Sequence, residues 1–400
     1  MARTKATLAG GARLADLLAV GYLAMNCPLE RVRAALAANS AQSQRRRGLP
    51  HEVLVYFVMA MCLYATVAYE EVLGLVIEGL RELWGDDGLA EVSVTKGAIS
   101  QARHRVGVAP LRQLYEEQVG PLGAPGMAGV WYREHRLMAI DGSTLEMPDE
   151  AGNVQRFGYP GASRGSAAFP QLRFVALVEC GTHVLCHAQF GPYAHSEVAL
   201  ARKVLPYLDA SMLLLADRGF FSHDLWQRAA STGAKLLFRV RRIQRLPREQ
   251  ALADGSYLTT LYANDQDRRQ RRHGSVVRVI EYTLHGIPDP ESSYRLVTNW
   301  LDPEVAPAAE MAALYHQRWS IEQVFDELKV HLPERRVLLR SKTPDLVEQE
   351  FYALLLAHAA IRRLMAAAAL ATGHRAKDLS FVHAVRVLQR RLPAAAAIPP

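Results

Sequence analysis

Half of the 400 residues are hydrophobic and 22% are charged, enough apolar material for two or three domains with large cores, so disorder is excluded as the default state. The formal charge of +7 permits a polyanionic partner, and more than half of that excess falls in residues 306–400. The four cysteines, Cys27, Cys62, Cys180 and Cys186, form no CxxC pair, and the N-terminus has no apolar leader, which argues against a zinc knuckle and against secretion and leaves a cytoplasmic protein with reduced thiols as the expectation.

In chain order, residues 12–23, 29–38, 51–69, 70–84 and 95–106 place apolar side chains at helical spacing. Pro28, the run Arg45 to Arg47 with Pro50, and a Gly85-Asp-Asp-Gly88 turn separate them. Residues 53–69 are the most apolar stretch, short for a membrane span, and read as a buried helix. Thr95 is a candidate N-cap, Gly107 ends that helix, and another helix follows over about 110–118. Gln101, Arg103, His104 and Arg105 on the first of this pair suit DNA contact, although such helix pairs are more often plain structure.

Near Val130 the pattern turns from helical to alternating. Residues 136–140 form a short apolar strand ending in Asp141, and residues 169–179 and 183–190 read as a hairpin about Cys180-Gly-Thr182. A helix over 196–205 precedes the fully apolar strand 212–216, which ends in Asp217-Arg-Gly-Phe220; a helix over 222–232 and a strand over 234–240 follow. A buried strand that stops at Asp can present the carboxylate at the rim where open α/β sheets bind ligands, although most such residues taken singly cap a turn. Residues 258–262, 275–284 and 294–298 are strand-like, rich in Thr, Val and Tyr, with a basic loop from Arg268 to Arg272.

Residues 315–329 contain no Gly or Pro and read as one helix. At 100° per residue, Tyr315, Arg318, Glu322 and Lys329 share a sector of about 60°. This stripe would set a metal-binding carboxylate between two phosphate-gripping cations, while spacing alone fits solvated Arg318/Glu322 and Asp326/Lys329 pairs as well. Asp141, Asp217 and Glu322 together, with no His or Cys among them, suit a hard cation such as Mg²⁺ or Mn²⁺. A basic connection from Arg335 to Lys342 leads to a long helix over about 344–365, and an Ala/Pro tail ends the chain. There is no internal repeat and no P-loop, so ATP-driven chemistry has no support.

Asp141-Gly-Ser, Asp217-Arg-Gly-Phe and Tyr315-x2-Arg318-x3-Glu322-x6-Lys329 resemble the DDE transposases of bacterial insertion elements, in the insertion element four family. Met147-Pro-Asp, the stretch from Asn153 to Gly158 and Leu338-Leu-Arg-Ser-Lys342 extend the likeness over most of residues 1–365. The resemblance implies an α/β fold: a ribonuclease H-like core over 131–242 and 300–343 interrupted by a β-rich insertion over 243–299, an all-helical DNA-binding domain over 1–130, and a helical segment and tail over 344–400. It implies that Asp141, Asp217 and Glu322 hold two Mg²⁺ ions, for which Mn²⁺ can substitute, and that no membrane is involved. The implied reaction is cut-and-paste transposition on double-stranded DNA by a homodimer that joins the element's inverted-repeat ends to target DNA through a nick, a hairpin and strand transfer. Tyr315, Arg318 and Lys329 would hold the DNA with Arg335, Arg336 and Arg340. Tyr294 lies where the family has an aromatic that stacks on a flipped base, and Trp300 is the other candidate. The rival readings are a catalytically silent DNA-binding protein descended from such an enzyme and a general metal-dependent endonuclease.

Overall fold

The computed structural model of the protein describes residues 14–43, 49–84, 95–162, 165–166, 168–283, 293–332 and 339–389. They divide into two compact units, one of residues 1–120, 145–172 and 325–400, the other of residues 121–144 and 173–324. The Arg45 to Arg47 run, the Gly85-Asp-Asp-Gly88 turn, Arg335, Arg336 and the Ala/Pro tail lie outside the described residues.

The first unit is helical. Helices Leu14–Asn26, Leu29–Ala38, Lys96–Val106 and Ala109–Gln118 form close to where periodicity puts them, and Thr95 caps the third by accepting from the Ala98 amide at 3.3 Å. The helix expected over 51–69 is shorter, His51–Leu63, stopping where Tyr64 leaves helical backbone, and the helix expected over 70–84 forms as Tyr69–Trp84. Every residue from Val53 to Leu63 is buried, so this helix shows no polar stripe. It packs on the long helix Pro344–Thr372, which is apolar enough in composition to cross a membrane, but 72% of its most apolar window is buried within the protein. Arg103, a candidate DNA contact in the sequence, is instead fully buried here, donating to Gln349 Oε1 at 2.8 Å and to Ser341 Oγ and the Leu346 carbonyl at 3.1 Å.

The second unit is built on a mixed sheet of strands β1 (His135–Glu146), β2 (Gln171–Glu179), β3 (Leu185–Pro192), β4 (Met212–Ala216), β5 (Lys235–Arg239), β6 (Tyr257–Leu261), β7 (Ser275–Thr283) and β8 (Ser293–Thr298). Their order across the sheet is β3-β2-β1-β4-β5-β8-β7-β6. β1, β4 and β5 are parallel neighbours, and the crossover from β4 to β5 is the helix His223–Ala230. All five residues of β4 are buried, as a central parallel strand covered on both faces requires. The strands expected in the insertion form as β6 to β8, and they extend the core sheet: β8 pairs antiparallel with β5 through Val297 and Phe238.

Candidate active site

The register of the parallel strands brings the two aspartates together. Ile140 on β1 faces Ala216 on β4, so Asp141 and Asp217 emerge side by side at the next position. β1 does not stop at Asp141, as the sequence suggested; its pairing with β4 ends there while the extended backbone runs on to Glu146. Asp141 Oδ1 accepts from the Gly142 amide at 2.8 Å, and Oδ2 accepts from Arg318 Nη1 at 3.0 Å. Tyr315 donates its hydroxyl to Asp217 Oδ1 at 3.2 Å. Two residues of the sequence signature therefore hold the two strand aspartates directly.

The electrostatics follow from burial. Asp141 is pushed up to about 6, first by desolvation, with Glu197 and Asp217 adding to the rise and Gly142 and Arg318 opposing it. Burial also raises Tyr315, which keeps its proton and acts as a donor. Burial opposes the charge of Arg318, but Tyr315, Asp217 and Asp141 outweigh it and raise its affinity for the proton.

The stretch expected as one helix is four segments: Ala308–Tyr315 is α-helical, His316–Trp319 is a 3₁₀ turn, Ser320–Asp326 is α-helical and Glu327–His331 is a π turn. A rotation of 100° per residue does not hold through 3₁₀ and π segments, so the shared sector calculated for Tyr315, Arg318, Glu322 and Lys329 is corrected. Tyr315 and Arg318 are buried, at 1% and 5% exposure, whereas Glu322 is exposed on its helix. Among the described residues, no three His, Cys, Asp or Glu side chains stand close enough to hold a metal ion. The structure thus assembles Asp141, Asp217, Tyr315 and Arg318, and leaves the Glu322 carboxylate in solvent. Lys329, in the first unit, is half-buried on the π turn; burial lowers its affinity for the proton, while Asp326 and Glu146 act the other way.

The remaining candidates sit in varied surroundings. Tyr294 on β8 is 1% exposed, stacked on Tyr282 with centroids 5.3 Å apart and covered by the Arg239 guanidinium at 4.2 Å. Trp300 is buried against Tyr132 and His135. Arg340 donates to the Val67 carbonyl at 2.9 Å and lies 4.5 Å above the Tyr69 ring.

Two residues escaped sequence reasoning. Glu197, which opens the helix Glu197–Val204, lies against Gly142 so closely that a Cβ there would come 2.6 Å from its Cδ. A third carboxylate thus closes on the backbone at Gly142, and a Cβ there would displace the end of the Glu197 side chain, a contact between residues with no shared pattern in the sequence. Trp319 is 40% exposed beside Arg318, its ring set edge-on to His316. Its position next to a signature residue was the available signal.

Residues 17–116 match the family described as insertion element 4 transposase N-terminal, and residues 132–359 match the transposase DDE domain. The chain is 27% identical over 370 residues to the transposase InsG for insertion sequence element IS4 of Escherichia coli, covering 89% of this chain and 79% of that protein. It is 29% identical over 203 residues to the putative transposase InsZ of the same organism, covering 50% and 64% respectively. Among solved structures, a piggyBac transposase synaptic complex with hairpin DNA aligns at TM-score 0.45 and 10% identity, over 94% of this chain and 79% of that one. With its DDE domain spanning more than half of the sequence, the chain belongs to the DDE transposase family, as an enzyme that cleaves DNA strands and transfers them to new sites.

Proposed function

We propose that this transposase excises and inserts an insertion sequence by cation-dependent phosphoryl transfer centred on Asp141 and Asp217, with Glu322 as the third acid. The observation that carries the reading is the pair of aspartates at matched positions on adjacent parallel strands, each bonded to a side chain of the Tyr315–Arg318 segment. This mixed sheet with the acids on its central strands also supports a ribonuclease H-like core. The donor set fits Mg²⁺ or Mn²⁺: it is all oxygen, and the raised proton affinity of Asp141 marks a buried carboxylate without enough compensating charge. Two such ions, when bound, supply activation of the attacking oxygen and stabilisation of the leaving one.

The chain's own residues do the rest. Arg318, positive and fixed by Asp141, is placed to neutralise a phosphate oxygen at the cut, and Tyr315 holds Asp217 in one orientation. Glu322, exposed on the following helix, would be the third carboxylate holding a cation with Asp141 and Asp217. Lys329 grips the strand backbone, as do the exposed Arg241, Arg242, Arg245 and Arg248 and the basic segment from Arg268 to Arg272. Arg335, Arg336 and Arg340 belong to the same DNA-holding set, Arg340 through the backbone position it fixes against Tyr69.

The order of events is a nick by water, attack of the freed 3′-hydroxyl on the opposite strand to form a hairpin, opening of that hairpin, and transfer into target DNA. A homodimer on DNA brings the two inverted-repeat ends together. The hairpin step needs an aromatic platform for a flipped base. Trp319 is favoured over Tyr294 and Trp300 by its exposure. Incubating the protein with labelled DNA carrying the ends that flank its gene, in Mg²⁺, tests the scheme on a denaturing gel. Nicked strands that convert to hairpins support it; linear breaks with no hairpin at any time point would remove the hairpin step, and cleavage of unrelated DNA at the same rate would favour a general endonuclease.

A further inference from the structure

The π turn that carries Lys329 is held by a buried charged cluster with no part in the scheme above. Glu327 is 7% exposed, and Arg362 and His358, both on the helix Pro344–Thr372, are 1% and 0% exposed. Arg362 donates to Glu327 through two nitrogens, Nε to Oε2 at 2.9 Å and Nη2 to Oε1, and His358 Nε2 lies 3.3 Å from Oε2. Phe381 backs both partners, its ring stacked on His358 at 5.4 Å and under the Arg362 guanidinium at 5.3 Å. Such a cluster is hard to explain by stability, because well-packed apolar side chains in place of a buried ion pair are often as stable or more so. Its best-attested use is to fix a register.

Register is what the backbone needs here. Glu327 also supplies the carbonyl of the i→i+5 bond, accepting from the Leu332 amide at 2.9 Å. A π turn holds one residue more than the α-turn it replaces, so relaxation to α-helix would swing side chains in it by up to about 100°. The residue that closes the wide turn is the one whose carboxylate is gripped at two points.

We propose that Glu327, Arg362 and His358 are positioning residues that lock the π register of Glu327–His331 and so set the direction of Lys329 towards DNA. The inference rests on the reading of Lys329 as a phosphate contact, and its test separates the two. In the double variant Glu327→Leu/Arg362→Leu, the thermal midpoint should stay at or above that of the unsubstituted protein, while the slope of log affinity for end DNA against log salt falls by about 0.9, as for one lost phosphate contact. Lys329→Ala should cause the same fall in the unsubstituted chain and no further fall in the double variant, because the two changes act on one contact. A double variant that keeps the full slope while Lys329→Ala lowers it overturns the clamp.

A second readout does not depend on what Lys329 binds. Acylation of the free protein with an amine-specific reagent, followed by peptide mass spectrometry, should show the Lys329 rate changing several-fold in the double variant relative to the exposed Lys342. An unchanged ratio refutes the clamp even if Lys329 proves to touch no phosphate, and an unchanged slope in Lys329→Ala refutes only the phosphate reading. Arg362→Lys keeps the charge but loses the two-point grip. It supplies both readouts if the double variant fails to fold.

Discussion

Asp141→Asn should make the metal-free protein more stable at neutral pH while abolishing cleavage. The folded-state value of the Asp141 carboxyl rises from 3.8 to about 6, chiefly through burial. A rise of about two units corresponds to roughly 3 kcal/mol of differential interaction. The sign follows from linkage: below 3.8 both states hold the proton and nothing is lost, between 3.8 and about 6 the folded state keeps a proton that the unfolded state releases, and above 6 the full penalty applies. Asparagine is never ionised and escapes it. For a unit of this size each kcal/mol moves the midpoint by about 2–4 °C, so the variant should melt roughly 6–12 °C higher at pH 7.5. Thermal unfolding of both proteins in EDTA, from pH 4.5 to 8, measures the gap, which should close towards the acid end. Added Mn²⁺ should raise the midpoint of the unsubstituted protein and leave the variant nearly unmoved. A variant that melts lower at pH 7.5, or a gap that ignores pH, would refute the account of Asp141 as a carboxylate strained by burial.

Other outcomes follow from the same geometry. Gly142→Ala would push the Glu197 carboxyl away from Asp141, since the new Cβ would lie 2.6 Å from its Cδ; because the end of that side chain can move, stability in denaturant titration should stay within about 0.5 kcal/mol, and a loss well beyond that would mean that Glu197 is held in place. Tyr294→Ala removes a buried ring between Tyr282 and Arg239 and should destabilise the protein by roughly 3–5 kcal/mol. Trp319→Ala should leave stability almost untouched but slow hairpin formation about 10- to 100-fold without slowing the first nick, as loss of one base-stacking platform predicts. Time courses resolving nick from hairpin decide between the two aromatics, and hairpins at the unsubstituted rate in Trp319→Ala would exclude Trp319.

What the sequence revealed was local. Strand 212–216 was legible because a wholly apolar run ending in Asp has few alternatives, the strand at 136–140 was legible in its first half but not in its run past Asp141 to Glu146, and the Thr95 cap was legible because its hydroxyl acts within three residues. The sequence could not show that β8 joins β5 and so continues the core sheet, since strand pairing across 59 residues (297 minus 238) leaves no periodic mark. Helical periodicity failed over 315–331 for a physical reason: the segment tightens into a 3₁₀ turn where Arg318 reaches Asp141 and widens into a π turn where Glu327 is gripped by Arg362. Both departures depend on partners over 30 residues away. The same distance in sequence hid Glu197 behind Gly142 and buried Arg103 against Gln349.

The central claim is that Asp141, Asp217 and Glu322 act by holding divalent cations at the cut. Replacing each in turn with Cys and measuring single-turnover nicking of end DNA tests it most directly, because a thiolate is a poor ligand for Mg²⁺ and a more acceptable one for Mn²⁺. The account predicts no nicking in Mg²⁺ for all three variants, partial return in Mn²⁺, and end binding close to that of the unsubstituted protein throughout. Nicking in Mg²⁺ at near the unsubstituted rate by any one of them, Glu322→Cys above all, would contradict the assignment of that residue as a cation ligand.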